Sequence, residues 1–144
     1  MRTLAIDYGS KRIGLALSDP TGTLARPLPF LLAKADAKLA REVAALAQQE
    51  QATLILLGLP RHMNGSLGEA AAAVQAFAAV LEKTTKVPVK LVDERLSTVQ
   101  ASRQLRESGR DARAQRSLID SEAAAVLLQG YLDTQGGMPP LPDA

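Results

Sequence analysis

The residues of this chain that could do chemistry are acids, and three of them stand at comparable places. Asp7 ends the apolar run Thr3-Leu4-Ala5-Ile6. Asp93-Glu94 ends a second run, 88–92, and Asp120 lies in the first turn of what reads as the last helix. A carboxylate at the end of a buried strand costs several kcal/mol unless a cation or hydrogen bonds offset it. If the first strand is central in an open sheet, the carboxyl ends of its parallel neighbours lie beside Asp7, where such sheets build their sites. Asp7, Glu94 and Asp120 would then converge and repel one another, and divalent cations remove that repulsion. Two Mg²⁺ or Mn²⁺ ions on shared carboxylates are the usual device for in-line phosphodiester displacement. Mg²⁺ keeps several waters, so three acids suffice. Each acid also has a plainer reading. Asp7 could cap its own turn, Glu94 could pair with Arg95, and Asp120 could be a charge that suits a helix start. Asp19 and Asp93 are lesser candidates, and Asp19, before Pro20, reads as a turn opener.

The elements that would position these acids follow from periodicity. Segments 3–7 and 12–18 read as a β-hairpin turning through Gly9. In the second strand Ile13, Leu15 and Leu17 point one way and Gly14, Ala16 and Ser18 the other. A face made only of small residues lets something approach the backbone closely. Segment 23–32 carries Pro27 and Pro29, which suits an edge strand. Asp36 offers an N-cap for an amphipathic helix to about residue 50. Segment 53–57 is wholly apolar, as in a strand buried on both faces. Residues 58–65 read as a loop, and Ser66 with Glu69 as a capping box opening an Ala-rich helix to about 83. Segment 88–92 is a further buried strand. Ser97 with Gln100 opens a helix that stops near Gly109, and Ser117 with Asp120 opens the last one, to about 132. The order βββαβαβαα predicts an α/β fold. Three antiparallel strands and then two parallel ones form a mixed five-stranded sheet with helices on both faces. One domain is expected over 1–133, with a frayed Gly/Pro-rich tail at 134–144.

Composition narrows the chemistry. The 144 residues are 47% hydrophobic and 3% aromatic, so the core must be Ala, Leu and Val. The absence of Cys excludes thiol nucleophiles, disulfides and Cys-ligated zinc or iron–sulfur sites, and a single His argues against a structural zinc, leaving hard cations on oxygen. No Gly-x-Ser-x-Gly elbow supports a serine hydrolase, and lone His62 reads as a surface residue. Neither a membrane-spanning run nor a secretory signal is present, so a cytoplasmic protein is expected. Net charge is +2, yet 102–116 holds Arg103, Arg106, Arg110, Arg113 and Arg116 against only Glu107 and Asp111. A solvated helix face is one reading of that run. A phosphate-binding patch is the other, favoured by Arg over Lys because the guanidinium fits phosphate oxygens bidentately.

Four stretches resemble the YqgF/RuvX family. Asp7-Tyr8-Gly9-Ser10-Lys11-Arg12-Ile13-Gly14-Leu15-Ala16 with Ser18-Asp19 is similar to its opening motif. Gly58-Leu59-Pro60 followed by Met63-Asn64-Gly65-Ser66 is similar to its second. Asp93-Glu94-Arg95-Leu96-Ser97-Thr98 is similar to its third and most specific, and 119–132 to its fourth. The resemblance implies an RNase H-like fold akin to the resolvase RuvC, and a divalent-metal nuclease. The family's proposed roles are trimming the 5′ end of precursor 16S ribosomal RNA and resolving Holliday junctions. By motif position, Asp7, Glu94 and Asp120 are its catalytic acids and metal ligands. Where the fourth motif commonly has a Lys two residues before its acid, this chain has Leu118. Asp7 would be the ligand common to two ions. Lys11, Arg12 and Arg95 could neutralise the scissile phosphate, Gly9 and Gly14 could admit it, and the five Arg from Arg103 to Arg116 could hold the nucleic acid backbone. The partner is nucleic acid, structured RNA or a four-way DNA junction, and a junction would suit a homodimer. Two rivals share the fold: a two-domain ATPase, for which the chain is too short, and a non-catalytic nucleic-acid or ribosome-associated factor.

Overall fold

The computed structural model describes residues 2–60, 68–94 and 116–137, with side chains in the last helix described for 121–134. Its elements are β1 (Arg2–Asp7), β2 (Arg12–Ser18), β3 (Ala25–Leu32), α1 (Asp36–Gln49), β4 (Ala52–Leu59), α2 (Glu69–Thr84), β5 (Val89–Asp93) and α3 (Arg116–Gly137). The strands form one five-stranded sheet in the order β3-β2-β1-β4-β5. β1, β2 and β3 pair antiparallel, while β4 runs parallel to β1 and β5 parallel to β4. The mixed sheet expected from the sequence is therefore present, with the proline-bearing strand at an edge and β1 in the centre.

Strand alternation sorts the core into two layers. Leu4, Ile6, Ile13, Leu15, Leu17, Ile55 and Leu57 face α1 and α2, meeting Leu39, Val43, Val74, Phe77 and Leu81. Ala5, Ala16 and Leu56 face α3, meeting Ala124, Leu128 and Leu132. The small-residue face of β2 is thus mostly the seat of a helix, and Ala16 is fully buried under α3.

Several boundaries differ from expectation, each for a local reason. Asp36 is not the N-cap of α1; Ala35 is, without a side-chain cap. The Asp36 carboxylate instead accepts a hydrogen bond from the Tyr8 hydroxyl at 2.8 Å. β4 runs through Gly58 and Leu59, expected in a loop, because these residues pair with Val92 and Asp93 of β5. α2 starts at Glu69 with Gly68 as N-cap, not Ser66, which lies outside the described residues. α3 begins at Arg116 and continues past 132 to Gly137, so the expected tail at 134–144 begins inside a helix. There the Thr134 hydroxyl donates to the Tyr131 carbonyl at 2.7 Å. The helix expected over 97–109 lies outside the described residues.

Candidate active site

Asp7 is the last residue of the central strand, and alternation from Ala5 puts it on the α3 side of the sheet. Its register partner on β2 is Gly14, on the same side. On the other flank Ile6 pairs with Leu57, so the next step along both strands brings Asp7 beside Gly58. The row across the sheet is Gly14, Asp7, Gly58, Val92: one carboxylate between two residues without side chains. Asp7 is 9% exposed.

Glu94 follows the end of β5 and is 1% exposed. Its carboxylate returns across the row. A Cβ added to Gly58 would stand 2.7 Å from Glu94 Oε1, 3.2 Å from Glu94 Cγ and 3.1 Å from Leu127 Cδ2. Gly58, beside Asp7 in the sheet, is therefore the floor on which the Glu94 side chain lies, under Leu127 of α3. Asp93 is also buried, at 8% exposed, but pairs with Leu59 and so takes the α1/α2 side. Of the two adjacent acids, the structure brings Glu94 and not Asp93 to the face that carries Asp7.

Asp120 lies in α3, one residue before Ser121 and one helical turn before Ala124; its side chain lies outside the described residues. The fully buried Ser121 hydroxyl accepts from the Leu15 amide at 3.3 Å and donates to the Leu28 carbonyl at 2.5 Å. Two turns on, Gln129 accepts from the Ala25 amide and donates to the Thr23 carbonyl, both at 2.9 Å. These contacts run α3 along β2 from Leu15 toward its end. The amino-terminal end of α3 therefore lies at the edge of the sheet where β1 finishes and Asp7 stands.

The remaining residues singled out from sequence divide clearly. Gly9 has an internal reason to be glycine: a Cβ there would stand 2.3 Å from the Arg12 carbonyl oxygen, closer than any real contact. Gly14 sits beside Asp7. Lys11 is exposed in the turn, and its carbonyl accepts from the Ala33 amide at 2.9 Å. Arg12 shares the side of Gly14 by alternation and stacks over the Phe30 ring, 5.3 Å from its centroid. Arg95, Arg103, Arg106, Arg110 and Arg113, with His62, lie outside the described residues; Arg116 opens α3 without a described side chain. Sequence reasoning missed the role of Gly58 and of the α3 anchors Ser121 and Gln129. The one available signal was a glycine at the end of an otherwise apolar strand.

The donor set suits a hard divalent cation. Asp7 and Glu94 supply only oxygens, both are buried, and both stand on one side of the sheet around a glycine that leaves them room. Among the described residues no group of three His, Asp or Glu side chains forms a metal cluster, and Asp120 falls outside that set. The fit therefore rests on the two described acids.

Residues 1–134 match the family described as "RuvX: Holliday junction resolvase". The chain belongs to the RuvX family. It is 48% identical over 134 residues to an Anaeromyxobacter protein (strain Fw109-5), covering 92% of this chain and 97% of the relative. It is 45% identical over 137 residues to a Rhodococcus erythropolis protein, covering 92% and 77%. Both bear the name "Putative pre-16S rRNA nuclease". Among solved structures, T. thermophilus RuvC bound to a Holliday junction substrate aligns with TM-score 0.58 at 15% identity, covering 96% of this chain and 97% of that one. The fowlpox virus resolvase with junction DNA aligns with TM-score 0.54 at 12% identity, covering 94% and 99%. At such identity these neighbours establish the fold, which is the RuvC-like arrangement expected from the sequence. No described helix is long and apolar enough to cross a membrane.

Proposed function

We propose that this RuvX-family protein is a divalent-metal-dependent nuclease that hydrolyses phosphodiester bonds in structured nucleic acid. Asp7, Glu94 and Asp120 are its catalytic acids and metal ligands. The observation that carries this reading is the side-by-side burial of Asp7 and Glu94 around Gly58 on the face covered by α3. Two carboxylates on one small patch repel each other, and a divalent cation held by both would remove that repulsion. Mg²⁺ or Mn²⁺ there would supply Lewis acidity toward the phosphate and an activated water. The chain's own residues do the rest. Asp7 and Glu94 fix where the cation stands, the bare backbone of Gly14 leaves room beside it, and α3 with its Leu127 keeps bulk water from the far side of Glu94. Arg12, held against Phe30, offers a cation to the phosphate from β2.

Precursor 16S ribosomal RNA, trimmed at its 5′ end, is the substrate favoured by likeness to the Anaeromyxobacter and Rhodococcus relatives. A four-way DNA junction, cut by a homodimer, is the second reading, favoured by the family's description and by the junction-bound neighbours. The experiment offers precursor ribosomal RNA, a four-way junction and linear controls to one preparation, with Mn²⁺ and with chelator. Metal-dependent cleavage of one structured substrate is expected. Binding without cleavage under every condition would replace the nuclease with a non-catalytic factor. The Arg103 to Arg116 run is proposed to hold the nucleic acid backbone. Arg110→Ala with Arg113→Ala should lower the salt slope of binding by about 0.7–0.9 for each phosphate that is no longer neutralised. An unchanged slope would make the run a solvated face.

A further inference from the structure

Leu15 and Leu28 are register partners of β2 and β3, where the ladder shifts between Ile13 and Leu15 and where β3 carries Pro27 and Pro29. At this pair the Ser121 hydroxyl bridges the two strands, taking the Leu15 N–H and giving its own proton to the Leu28 carbonyl. A helix side chain is thereby spliced into the sheet. Gln129 makes the second splice, using its amide as a strand residue would against Thr23 and Ala25. Ser121 and Gln129 are eight residues apart, about 12 Å along a helix at its usual rise. Their anchor points on β2, Leu15 and the Ala25 partner Ser18, are three residues apart, about 10 Å along a strand. The two spacings agree, so both splices close together only in one axial register of α3. The apolar side of α3, Ala124, Leu128 and Leu132, packs on Ala5, Ala16 and Leu56, so the polar bonds of Ser121 and Gln129 add a directional constraint to that apolar contact.

We propose that Ser121, seconded by Gln129, is a positioning residue that fixes the height of the α3 backbone at Asp120 relative to Asp7, and thereby the metal affinity of the site. The inference rests on the assignment of Asp120 as a metal ligand. It explains why a hydroxyl is spent at a fully buried helix position: an alanine would pack there, but would leave the Leu15 amide and the Leu28 carbonyl without that bridge.

The test measures Mn²⁺ binding by calorimetry on the free protein, together with hydrogen exchange at the Leu15 amide and the melting temperature. Ser121→Ala should speed Leu15 exchange and weaken Mn²⁺ binding about 10–100-fold, as loss of groups that orient metal ligands does. Ser121→Thr keeps the hydroxyl and should recover most of that affinity. Val74→Ala, in α2 on the opposite face, serves as the destabilised control and should lower the melting temperature with Mn²⁺ binding unchanged. Ser121→Ala with wild-type Mn²⁺ affinity, while Asp120→Asn loses it, would overturn the positioning role alone. Asp120→Asn with wild-type affinity would overturn the assignment of Asp120, and the inference with it. Weakening in Val74→Ala equal to that in Ser121→Ala would reduce Ser121 to a general contribution to stability.

Discussion

The two faces of the sheet are built from different materials. Among the described residues, the face toward α1 and α2 is packed with Leu, Ile, Val and Phe77 together with Ala from the helices, and Asp93 is buried at its rim. The face toward α3 mixes Ala5, Ala16 and the glycines Gly14 and Gly58 with Leu54, Leu56 and Val92, with Asp7 and Glu94 buried at one end and side-chain-to-backbone splices along it. The same strands make both, since alternate residues of β1 and β4 serve opposite layers. Stability is concentrated where side chains are large, because buried apolar area scales with it. The α3 face gives up that area for closeness: small residues let a helix, and beside Gly14 and Gly58 a substrate, come near the backbone. The contrast teaches that fold stability and the chemistry of this site can be perturbed separately.

The largest effect is expected at Asp7. Asp7→Asn should lower cleavage by at least about a hundredfold, more than loss of an orienting group would, while the melting temperature holds or rises as a buried charge is removed; paired cleavage and melting assays check both. Next, Leu81→Ala on the opposite face should cost about 2–5 kcal/mol of stability. Mn²⁺ affinity should be unchanged below the melting transition, and denaturant unfolding with calorimetry separates the two quantities. Gly58→Ala sharpens the contrast, because its added methyl group meets Glu94 Oε1 at 2.7 Å and Leu127 at 3.1 Å. It should cost about 1–3 kcal/mol by overpacking and, unlike Leu81→Ala, weaken Mn²⁺ binding as Glu94 is pushed aside.

The smallest effect concerns the link between the hairpin and α1. Burial, then the hydrogen bond and charge of Asp36, push the Tyr8 phenol from its ordinary 10.0 up to about 12. A raised pKa favours the protonated form in the folded chain. That contribution is complete below pH 10 and is lost as pH rises through 12. Tyr8→Phe should therefore lower stability at neutral pH by about 0.5–1.5 kcal/mol as the hydrogen bond to Asp36 is lost, and flatten the further loss between pH 10 and 12, as melting temperatures across pH 7–12 would record.

Much of this was legible in the sequence because strand alternation is a local signal. The opposite facing of Ile13-Leu15-Leu17 and Gly14-Ala16-Ser18, the edge position of the proline strand and the end-of-strand place of Asp7 all follow from residues near one another. What escaped was non-local. Gly58 read as loop because only its pairing with Val92 makes it strand, and only the return of Glu94 across the sheet makes its lack of a side chain matter. Ser121 read as an ordinary helix residue, since its partners are 93 and 106 positions away. Asp36 had the type and place of an N-cap, but the hydroxyl of Tyr8 claimed its carboxylate. The preference for Glu94 over Asp93 came from motif position; the sheet adds that the two neighbouring acids meet opposite faces.

Asp7 and Glu94, and not Asp93, are proposed to share one divalent-cation site under α3. Calorimetric titration of Mn²⁺ into the wild type and into Asp7→Asn, Glu94→Gln and Asp93→Asn tests this directly. Saturable binding is expected in the wild type and in Asp93→Asn, and its loss in the other two with the fold intact. Equal binding in all four proteins, or none in the wild type, would contradict it.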